Sequence, residues 1–185
     1  LGRIHEKKGC DLLVEAFAKT RSEFGAEAAE KLHLVMAGPD QTGWAKELRK
    51  LAGELGVGDR VSWPGMVQGD IKWGMLHASE AFILPSHQEN FGIAVAEALA
   101  CHLPALISNR VNIWRELTMD AAGFAENDDL AGTVQLLRCW LGLTSAEREQ
   151  MRHNARQCFL TRFEIHQAAL SLIQVITDSL GTSRS

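Results

Sequence analysis

Several features that mark common protein classes are missing from this chain of 185 residues. It has no basic surplus, because 19 Lys and Arg stand against 23 Asp and Glu and leave a net charge of -4. A general nucleic-acid binder needs a positive surface to neutralise phosphates, so this balance argues against nucleic acid as a partner. No run of about 18 apolar residues occurs, so the sequence predicts no transmembrane segment.

Patterns that bind metals or form disulfides are also absent. The four cysteines, Cys10, Cys101, Cys139 and Cys158, are far apart and include no C-x-x-C pair. This spacing is typical of buried thiols in a reducing compartment, although it leaves a disulfide open. The seven histidines show no metal-ligand spacing. We therefore predict no metal site.

Two familiar phosphate-binding patterns are missing as well. No G-x-G-x-x-G follows a predicted strand, which argues against a dinucleotide-dependent dehydrogenase. The segment from Gly38 to Gly43 superficially resembles a phosphate loop, but it lacks the Lys-Ser/Thr pair that binds phosphate and metal. We therefore discount this segment as a phosphate site.

The chain does contain a regular alternation of short apolar segments with helix-periodic segments. Such alternation predicts an α/β fold, with a Rossmann-like parallel sheet of about six strands, helices on both faces and right-handed crossovers. From Asp129 onward the pattern is helical. We predict one domain over residues 1–180, a loose tail over 181–185, and a ligand site at the carboxyl edge of the sheet. The strands are expected near 1–4, 32–37, 60–65, 81–85, 104–108 and 123–125.

The most informative segment follows the predicted strand at 81–85. Glu89 and Glu97 lie eight positions apart and flank Gly92, at the point where the strand gives way to an alanine-rich helix. With a helix beginning near Phe91, Glu97 would lie roughly 9 Å along its axis. Two carboxylates and the free amides between them can therefore contact different parts of an elongated polar ligand.

A structural interpretation of these glutamates stays open from the sequence. Glutamate in a first helical turn is favoured by the helix dipole, and Glu97 could be a solvated position. Its neighbours, however, are all apolar or small, and a carboxylate in such a helix needs a partner or a ligand. We therefore favour a functional role for Glu97.

Two cations lie near the start of the chain. Arg3 and Lys8 surround the first predicted strand-to-helix connection, and Gly9 permits a tight turn before the next helix. Cations beside a helix amino terminus suit a diphosphate, with arginine offering two-pronged contacts and lysine a point charge. The alternative, a solvated basic loop, is weakened by the glutamate pair further along. His87, two residues before Glu89, is a further candidate for ligand contact.

With these residues in place, the chain resembles the carboxyl-terminal, donor-binding domain of retaining glycosyltransferases of the GT-B architecture, family 4 or group 1. The similarity covers nearly all of the chain, and the Glu-x7-Glu signature around Phe91-Gly92 is its most specific part. Weaker matches, in the expected order, are Gly2-Arg3 with Lys8-Gly9, the strand end at Val35-Met36-Ala37-Gly38, Arg60-Val61 with Gly65, Pro85-Ser86, Pro104, and Glu116 with Gly123.

The resemblance implies a role for each site residue. The catalytic set would be Arg3 and Lys8, which bind the donor diphosphate, and Glu89, which faces the donor sugar. Glu97 would bind the ribose hydroxyls, since an acceptor-only carboxylate suits a vicinal diol. The remaining donor-binding residues would be Asn90, the amides of Phe91, Gly92 and Ile93 at sugar or phosphate, and the backbone of Met66 and Val67 at the base. From its position alone, the loop Val111-Asn112-Ile113-Trp114 is expected to shape the sugar pocket together with Asn90.

The resemblance also implies the reaction and its setting. A sugar would pass from a nucleoside diphosphate to an acceptor hydroxyl with retention at the anomeric carbon, without a metal or another cofactor. No Asp-x-Asp occurs in the sequence, which agrees with a metal-free mechanism. The acceptor would bind an amino-terminal domain absent from this chain, so we expect a fragment that binds donor weakly and transfers no sugar alone. The implied location is cytoplasmic, with any peripheral membrane contact made by the absent half.

Two other functions stay open from the sequence. One is a nucleotide-sugar-binding module without catalysis, and the other is a GT-B-like nucleotide-sugar epimerase. A phosphorylase is disfavoured because it needs a pyridoxal-phosphate lysine and longer chain segments. The sequence leaves the donor sugar, the base and the acceptor undetermined, although the family is associated with polysaccharide biosynthesis.

Overall fold

Five short parallel strands form the centre of the molecule in two sheets. The structure is a computed structural model that describes residues 1–24 and 30–182. Strand β1 pairs with β2, and β4 lies between β3 and β5. The predicted parallel α/β fold is confirmed, with five strands in the described residues where about six were expected. The strands are β1 Leu34–Ala37, β2 Val61–Gly65, β3 Phe82–Leu84, β4 Ala105–Ser108 and β5 Gly123–Glu126.

Helices connect the strands and then continue alone after β5, as the sequence predicts. A 3₁₀ turn at Glu6–Lys8 precedes the first helix, and a π-helical turn at Phe159–Phe163 follows the seventh. The last helix runs to Thr182, and residues 183–185 of the predicted tail lie outside the described residues. The helices are α1 Cys10–Glu23, α2 Ala45–Glu54, α3 Gly69–Ala78, α4 Ile93–Ala100, α5 Trp114–Met119, α6 Leu130–Gly142, α7 Ser145–Cys158 and α8 Ile165–Thr182.

The predicted first strand is present only as a single bridge between Ile4 and Asp40. Two backbone bonds join this segment to the end of β1, from the Gly2 amide to the Ala37 carbonyl at 2.9 Å and from the Ile4 amide to the Pro39 carbonyl at 3.0 Å. The ladder stops there because His5 caps the 3₁₀ turn, which carries the chain away from the sheet.

Three apolar clusters hold the sheets in place in the described part of the chain. One surrounds β1 and includes Leu48 and Val14, a second surrounds β3 and β4 and includes Leu99 and Ile107, and a smaller third packs Leu136 of α6 against β4. All four residues of β4 are buried, as expected for a central parallel strand with helices on both faces. The clusters fix the relative positions of the strand ends, where polar side chains collect.

The cysteines are free thiols, and three of the four are buried. Burial, reinforced by the neighbouring Asp120 carboxylate, raises the pKa of Cys158 to about 12, so this thiol stays protonated at neutral pH. The prediction of buried thiols holds for Cys10, Cys101 and Cys158, while Cys139 is half-buried.

Candidate functional site

The polar residues that the sequence singled out collect at the carboxyl edge of the strands. Because the strands within each sheet are parallel, the segments that follow them emerge on the same side of that sheet. A backbone bridge between Glu89 and Val111 ties the segment after β3 to the one after β4. The edge carries two groups of residues, one beside the end of β3 and one beside helix α4.

Lys8 and Glu89 form the first group. The Lys8 ammonium donates to Oε2 of Glu89, and the two side chains are 18% and 23% exposed. The sequence predicted both residues at this edge, and the structure shows them in direct contact with each other. A diphosphate that approached Lys8 would therefore meet a cation already hydrogen-bonded to a carboxylate.

Gly9 is required to place Lys8. Its φ of +62° lies in the left-handed region, and a Cβ there would be 2.2 Å from the Pro85 carbonyl oxygen. The His87 amide donates to the Lys7 carbonyl at 2.9 Å, which joins the 3₁₀ turn to the segment after β3. Only glycine permits this close approach.

Two buried serines support the same junction, and their role was missed in the sequence. Ser86 and Ser108 are fully buried. The Ser86 hydroxyl is within donating distance of the Lys7 carbonyl at 2.8 Å, and the Ser108 hydroxyl donates to the Ser86 carbonyl. Their position at the ends of two apolar strands was the available signal, because a buried hydroxyl needs a partner.

Helix α4 begins at Ile93 and not near Phe91 as the sequence suggested. Gly92, with φ +75°, is the N-cap, because the chain must turn through the left-handed region before the helix starts. Glu97 is therefore about 6 Å along the helix axis, closer to the strand end than predicted. The amides of Phe91, Gly92 and Ile93 have no backbone acceptor within the described part of the chain.

Glu97 has a partner that the sequence reasoning missed. The Lys72 ammonium, from α3, donates to Oε1 of Glu97 at 2.8 Å, and the side chains are 22% and 25% exposed. The available signal was that Lys72 is the one lysine or arginine in the sequence of α3. The expectation that this carboxylate needs a partner or a ligand is met by a cation on a different helix.

A cavity of about 270 Å³ lies beside this second pair. Five of the predicted site residues line it: Arg3, Met66, Val67, Ile93 and Glu97. Lys72, Gly38, Pro39, Ala94, Leu1 and Gly2 complete the lining. The structure thus brings the predicted ribose carboxylate, the predicted base-contacting turn and one predicted phosphate cation to a single cavity.

The other predicted residues lie between the two groups or beside them. Asn90 is exposed, and Gly92 is buried. The Phe91 ring is 46% exposed and makes an edge-to-face contact with Phe163, with ring centroids 5.7 Å apart. Its side chain therefore packs on the π-helical turn, while its backbone amide has no backbone acceptor among the described residues.

His87 and Asp128 add a hydrogen-bonded cluster at the same edge. His87 Nδ1 lies 3.0 Å from Oδ2 of Asp128, and Arg110 Nε donates to Oδ1 at 3.2 Å. Hydrogen bonds from His87 and then Arg110 hold the pKa of Asp128 below its ordinary value. The cluster connects the segments after β3, β4 and β5. The sequence did not predict this connection.

A second cavity, of about 390 Å³, lies beside the Gly38 to Gly43 loop and is lined by His5, Glu6, Thr42, Trp44 and Glu47. Its two carboxylates disfavour an anionic ligand. Asp40 already accepts from the amides of Gly43, Trp44 and Ala45 at 2.9 to 3.1 Å. The position that a phosphate would take at this helix is filled by the chain's own carboxylate.

Within residues 1–24 and 30–182, no three His, Cys, Asp or Glu side chains form a group that could hold a metal ion. None of the described helices combines the length and the apolarity that a membrane span requires.

The parallel α/β fold, with charged pairs and a cavity at the carboxyl edge of its strands, defines a class of proteins that bind a polar ligand at that edge. The family model described as "Glycosyl transferases group 1" matches residues 1–158, and the chain belongs to this family. The resemblance to a GT-B group 1 glycosyltransferase domain is therefore confirmed.

Curated relatives match part of the chain. A D-inositol 3-phosphate glycosyltransferase of Thermomonospora curvata is 35% identical over 57% of this chain and 25% of its own length. A mannosylfructose-phosphate synthase of Agrobacterium fabrum is 28% identical over 64% of this chain and 26% of its own length. The matched part of the chain therefore spans about a quarter of the length of each of these relatives.

Solved structures share the fold over almost the whole chain. A glycosyltransferase from Rickettsia africae superposes with a TM-score of 0.80 at 16% identity, covering 96% of this chain and 46% of the other. The Anabaena protein HepE, solved in complex with UDP and glucose, superposes with a TM-score of 0.75 at 18% identity, covering 98% of this chain and 47% of the other.

Proposed function

We propose that this chain is the donor-binding part of a glycosyltransferase that transfers a sugar from a nucleoside diphosphate sugar to an acceptor hydroxyl. The bond between the anomeric carbon and the diphosphate oxygen breaks, and the diphosphate departs with the electron pair. A new bond forms to the acceptor oxygen, whose proton is released. Retention at the anomeric carbon and independence of metal ions are part of the proposal, as the family resemblance implies.

The observation that carries the proposal is the separation of two carboxylates along one edge. Glu89 lies in the segment after β3 beside Lys8, whereas Glu97 lines the cavity that Met66 and Val67 also line. A nucleotide sugar is an elongated molecule with a base and ribose at one end and a sugar at the other. Its two ends would match Glu97 and Glu89, respectively. Arg3, in the lining of the cavity, is available to the diphosphate between them.

The chemical task of such a site is to stabilise a sugar with oxocarbenium character and a departing diphosphate. Arg3 and Lys8 would bind the diphosphate, and Glu89 would accept from the donor sugar's hydroxyls. The amides of Phe91, Gly92 and Ile93 would donate to sugar or phosphate oxygens. HepE, whose structure contains UDP and glucose, shares this fold and supports a nucleotide-sugar ligand.

The first test is thermal melting of the chain against UDP, GDP, ADP and their sugars, with Glu97→Ala beside the unchanged chain. For a dissociation constant near 100 μM, 1 mM ligand should add about 1.4 kcal/mol, or roughly 3–6 °C. A shift with one nucleotide that is lost in Glu97→Ala supports the proposal. The absence of a shift with every nucleotide in this panel contradicts it.

An activity assay of the complete protein tests the proposed chemistry. We expect it to form a glycoside whose anomeric configuration matches that of the donor, with a turnover that survives EDTA. Hydrolysis or epimerisation of the donor without glycoside formation would instead indicate an epimerase, and donor binding without turnover would indicate a binding module. Steady transfer by the isolated chain would contradict the expectation that the acceptor site lies elsewhere.

A further inference from the structure

The contact between Lys72 and Glu97 joins two helices at the wall of the candidate site. Lys72 projects from α3, its ammonium lies 2.8 Å from Oε1 of Glu97, and both residues line the 270 Å³ cavity. The same ammonium lies 4.2 Å from the centroid of the Trp73 ring, a distance suited to a cation–π contact. Lys72 is thus held from two sides while it holds the glutamate.

The pair differs from an ordinary surface ion pair. Lys72 and Glu97 are 22% and 25% exposed, whereas Lys50 and Glu54, a pair within α2, are 78% and 60% exposed at 3.5 Å. Exposed pairs hold their side chains weakly because water screens the charges and the chains remain mobile. The Lys72–Glu97 pair is more enclosed. It therefore fixes the orientation of the Glu97 carboxylate, because the surrounding protein restricts the other side-chain orientations.

Glu97 has hydrogen-bond acceptor sites that Lys72 does not use. A carboxylate has about four lone-pair sites on its two oxygens, and Lys72 uses one of those on Oε1. Among the described residues, the structure gives Oε2 no hydrogen-bond donor. A lysine offers no acceptor that could compete for a hydroxyl proton, so the remaining sites stay available to a ligand that donates two O–H groups.

We propose that Lys72 is a positioning residue for recognition of the nucleotide's ribose. It holds Oε1 of Glu97 so that the carboxylate keeps its remaining lone pairs directed to the cavity, where a vicinal diol can donate to them. This inference rests on the proposed nucleotide-sugar function and adds a specific residue to it. Lys72 acts through Glu97, so its removal should weaken contacts to the ribose hydroxyls and spare contacts to the base and phosphates.

The test compares a ribonucleotide with its 2′-deoxy counterpart by calorimetric titration of the chain. The probe is whichever of UDP, GDP and ADP gives the largest thermal shift, together with the matching 2′-deoxynucleoside diphosphate. We expect the unchanged chain to prefer the ribonucleotide by about tenfold, which is the scale of a hydrogen bond to a charged group. Lys72→Met should reduce this preference to about twofold, and Lys72→Arg should restore most of it.

Three further variants make the result specific. Lys50→Met removes a lysine from an exposed ion pair and should leave the preference at about tenfold. Glu97→Gln should lose the preference, and adding Lys72→Met to it should cause no further loss, because both changes remove the same interaction. Circular dichroism and a melting curve for each variant identify any that fails to fold, and Lys72→Gln then replaces Lys72→Met.

The outcomes separate the two proposals. If Lys72→Met binds with an unchanged ribose preference, the positioning role is wrong while the nucleotide site stands. If Lys72→Met loses affinity equally for the ribonucleotide and the deoxynucleotide, Lys72 acts on the phosphates or on the fold, and the positioning role is again wrong. If the unchanged chain binds none of the three nucleotides, the proposed function fails and this inference fails with it.

Discussion

The two ends of the candidate site use the same chemical pair in different structural settings. At the strand end, Lys8 and Glu89 are 81 residues apart in sequence and meet where a 3₁₀ turn is joined to the segment after β3. At the helix end, Lys72 and Glu97 are 25 residues apart and connect two neighbouring helices. Both carboxylates are about a quarter exposed.

The difference lies in how each lysine is placed. Lys8 precedes Gly9, whose missing Cβ lets the chain pass against the Pro85 carbonyl. Lys72 follows Gly69, which also has a positive φ but has open space around it. The strand end is therefore fixed by backbone packing, and the helix end by side-chain contacts with Glu97 and Trp73.

The largest expected effect comes from testing this contrast at the two glycines. Gly9→Ala should lower the free energy of unfolding by about 3 kcal/mol or more, because it adds a steric clash to the cost of a left-handed alanine. Gly69→Ala, with φ +54° and no clash, should cost about 1 kcal/mol. Urea unfolding of both variants measures the difference, and equal losses would show that Pro85 does not constrain the strand end.

The two carboxylates should separate turnover from nucleotide affinity. In the complete protein we expect Glu89→Gln to lower turnover by about a hundredfold while the affinity for the nucleoside diphosphate without sugar stays near its original value. Glu97→Gln should instead weaken that affinity about tenfold, the scale of a hydrogen bond to a charged group. Kinetics at saturating donor and calorimetry with the free nucleotide provide the two measurements.

The same effect from both variants would contradict the order of sugar and ribose along the edge. A reversed result, with Glu97→Gln acting on turnover at saturating donor, would place the sugar in the cavity of about 270 Å³.

The two neighbouring lysines of the 3₁₀ turn provide a matched comparison for the diphosphate. Lys8→Met should weaken binding of a nucleoside diphosphate by about tenfold and leave binding of the nucleoside unchanged, because it removes a charge-assisted contact. Lys7→Met removes an exposed side chain in the same turn and should change affinity by less than about twofold. Calorimetric titration at two salt concentrations checks both, and equal losses would indicate a diffuse electrostatic effect.

The smallest expected effect concerns the third carboxylate of the edge. His87 and Arg110 hold the pKa of Asp128 below its ordinary value of 3.8, so its contribution to stability is fully present above pH 3.8. That contribution is lost as the pH falls through the lower, folded-state pKa. Asp128→Asn should therefore destabilise the chain at pH 7, with a difference that shrinks below pH 3.8.

Urea unfolding at pH 7, 5 and 3.5 follows this difference for Asp128→Asn. Asp59→Asn serves as the control, since Asp59 is 76% exposed and pairs with Arg60 at 3.5 Å. A difference that stays constant with pH would show that the hydrogen bonds to Asp128 do not depend on its charge.

Much of the fold could be predicted because its signals are local. Strands β1, β3 and β4 are short, largely apolar segments, and β4 is buried along its whole length as its composition indicates. Errors arose where a few residues decide a boundary. Helix α4 starts two residues later than expected because Gly92 adopts a left-handed conformation, and the expected strand at the start is reduced to one bridge by the turn at His5.

The sequence predicted which residues belong to the site better than it predicted their contacts. The spacing of Glu89 and Glu97 and the cations at the start of the chain were visible in the sequence, and the structure places them at one edge. The cluster of His87, Asp128 and Arg110 was not predicted, because His87 and Asp128 are 41 residues apart and no periodic pattern connects them.

The sequence by itself determined the parallel α/β fold and the two carboxylates at the strand-to-helix junction, since these follow from short-range patterns of hydrophobicity and spacing. Its motifs also carried the resemblance to the family. The tertiary structure alone decided which lysine faces which glutamate. Those pairings depend on the order in which strands and helices pack and on the reach of long side chains. Pairs such as Lys72 and Glu97 form only after separate helices have been brought together.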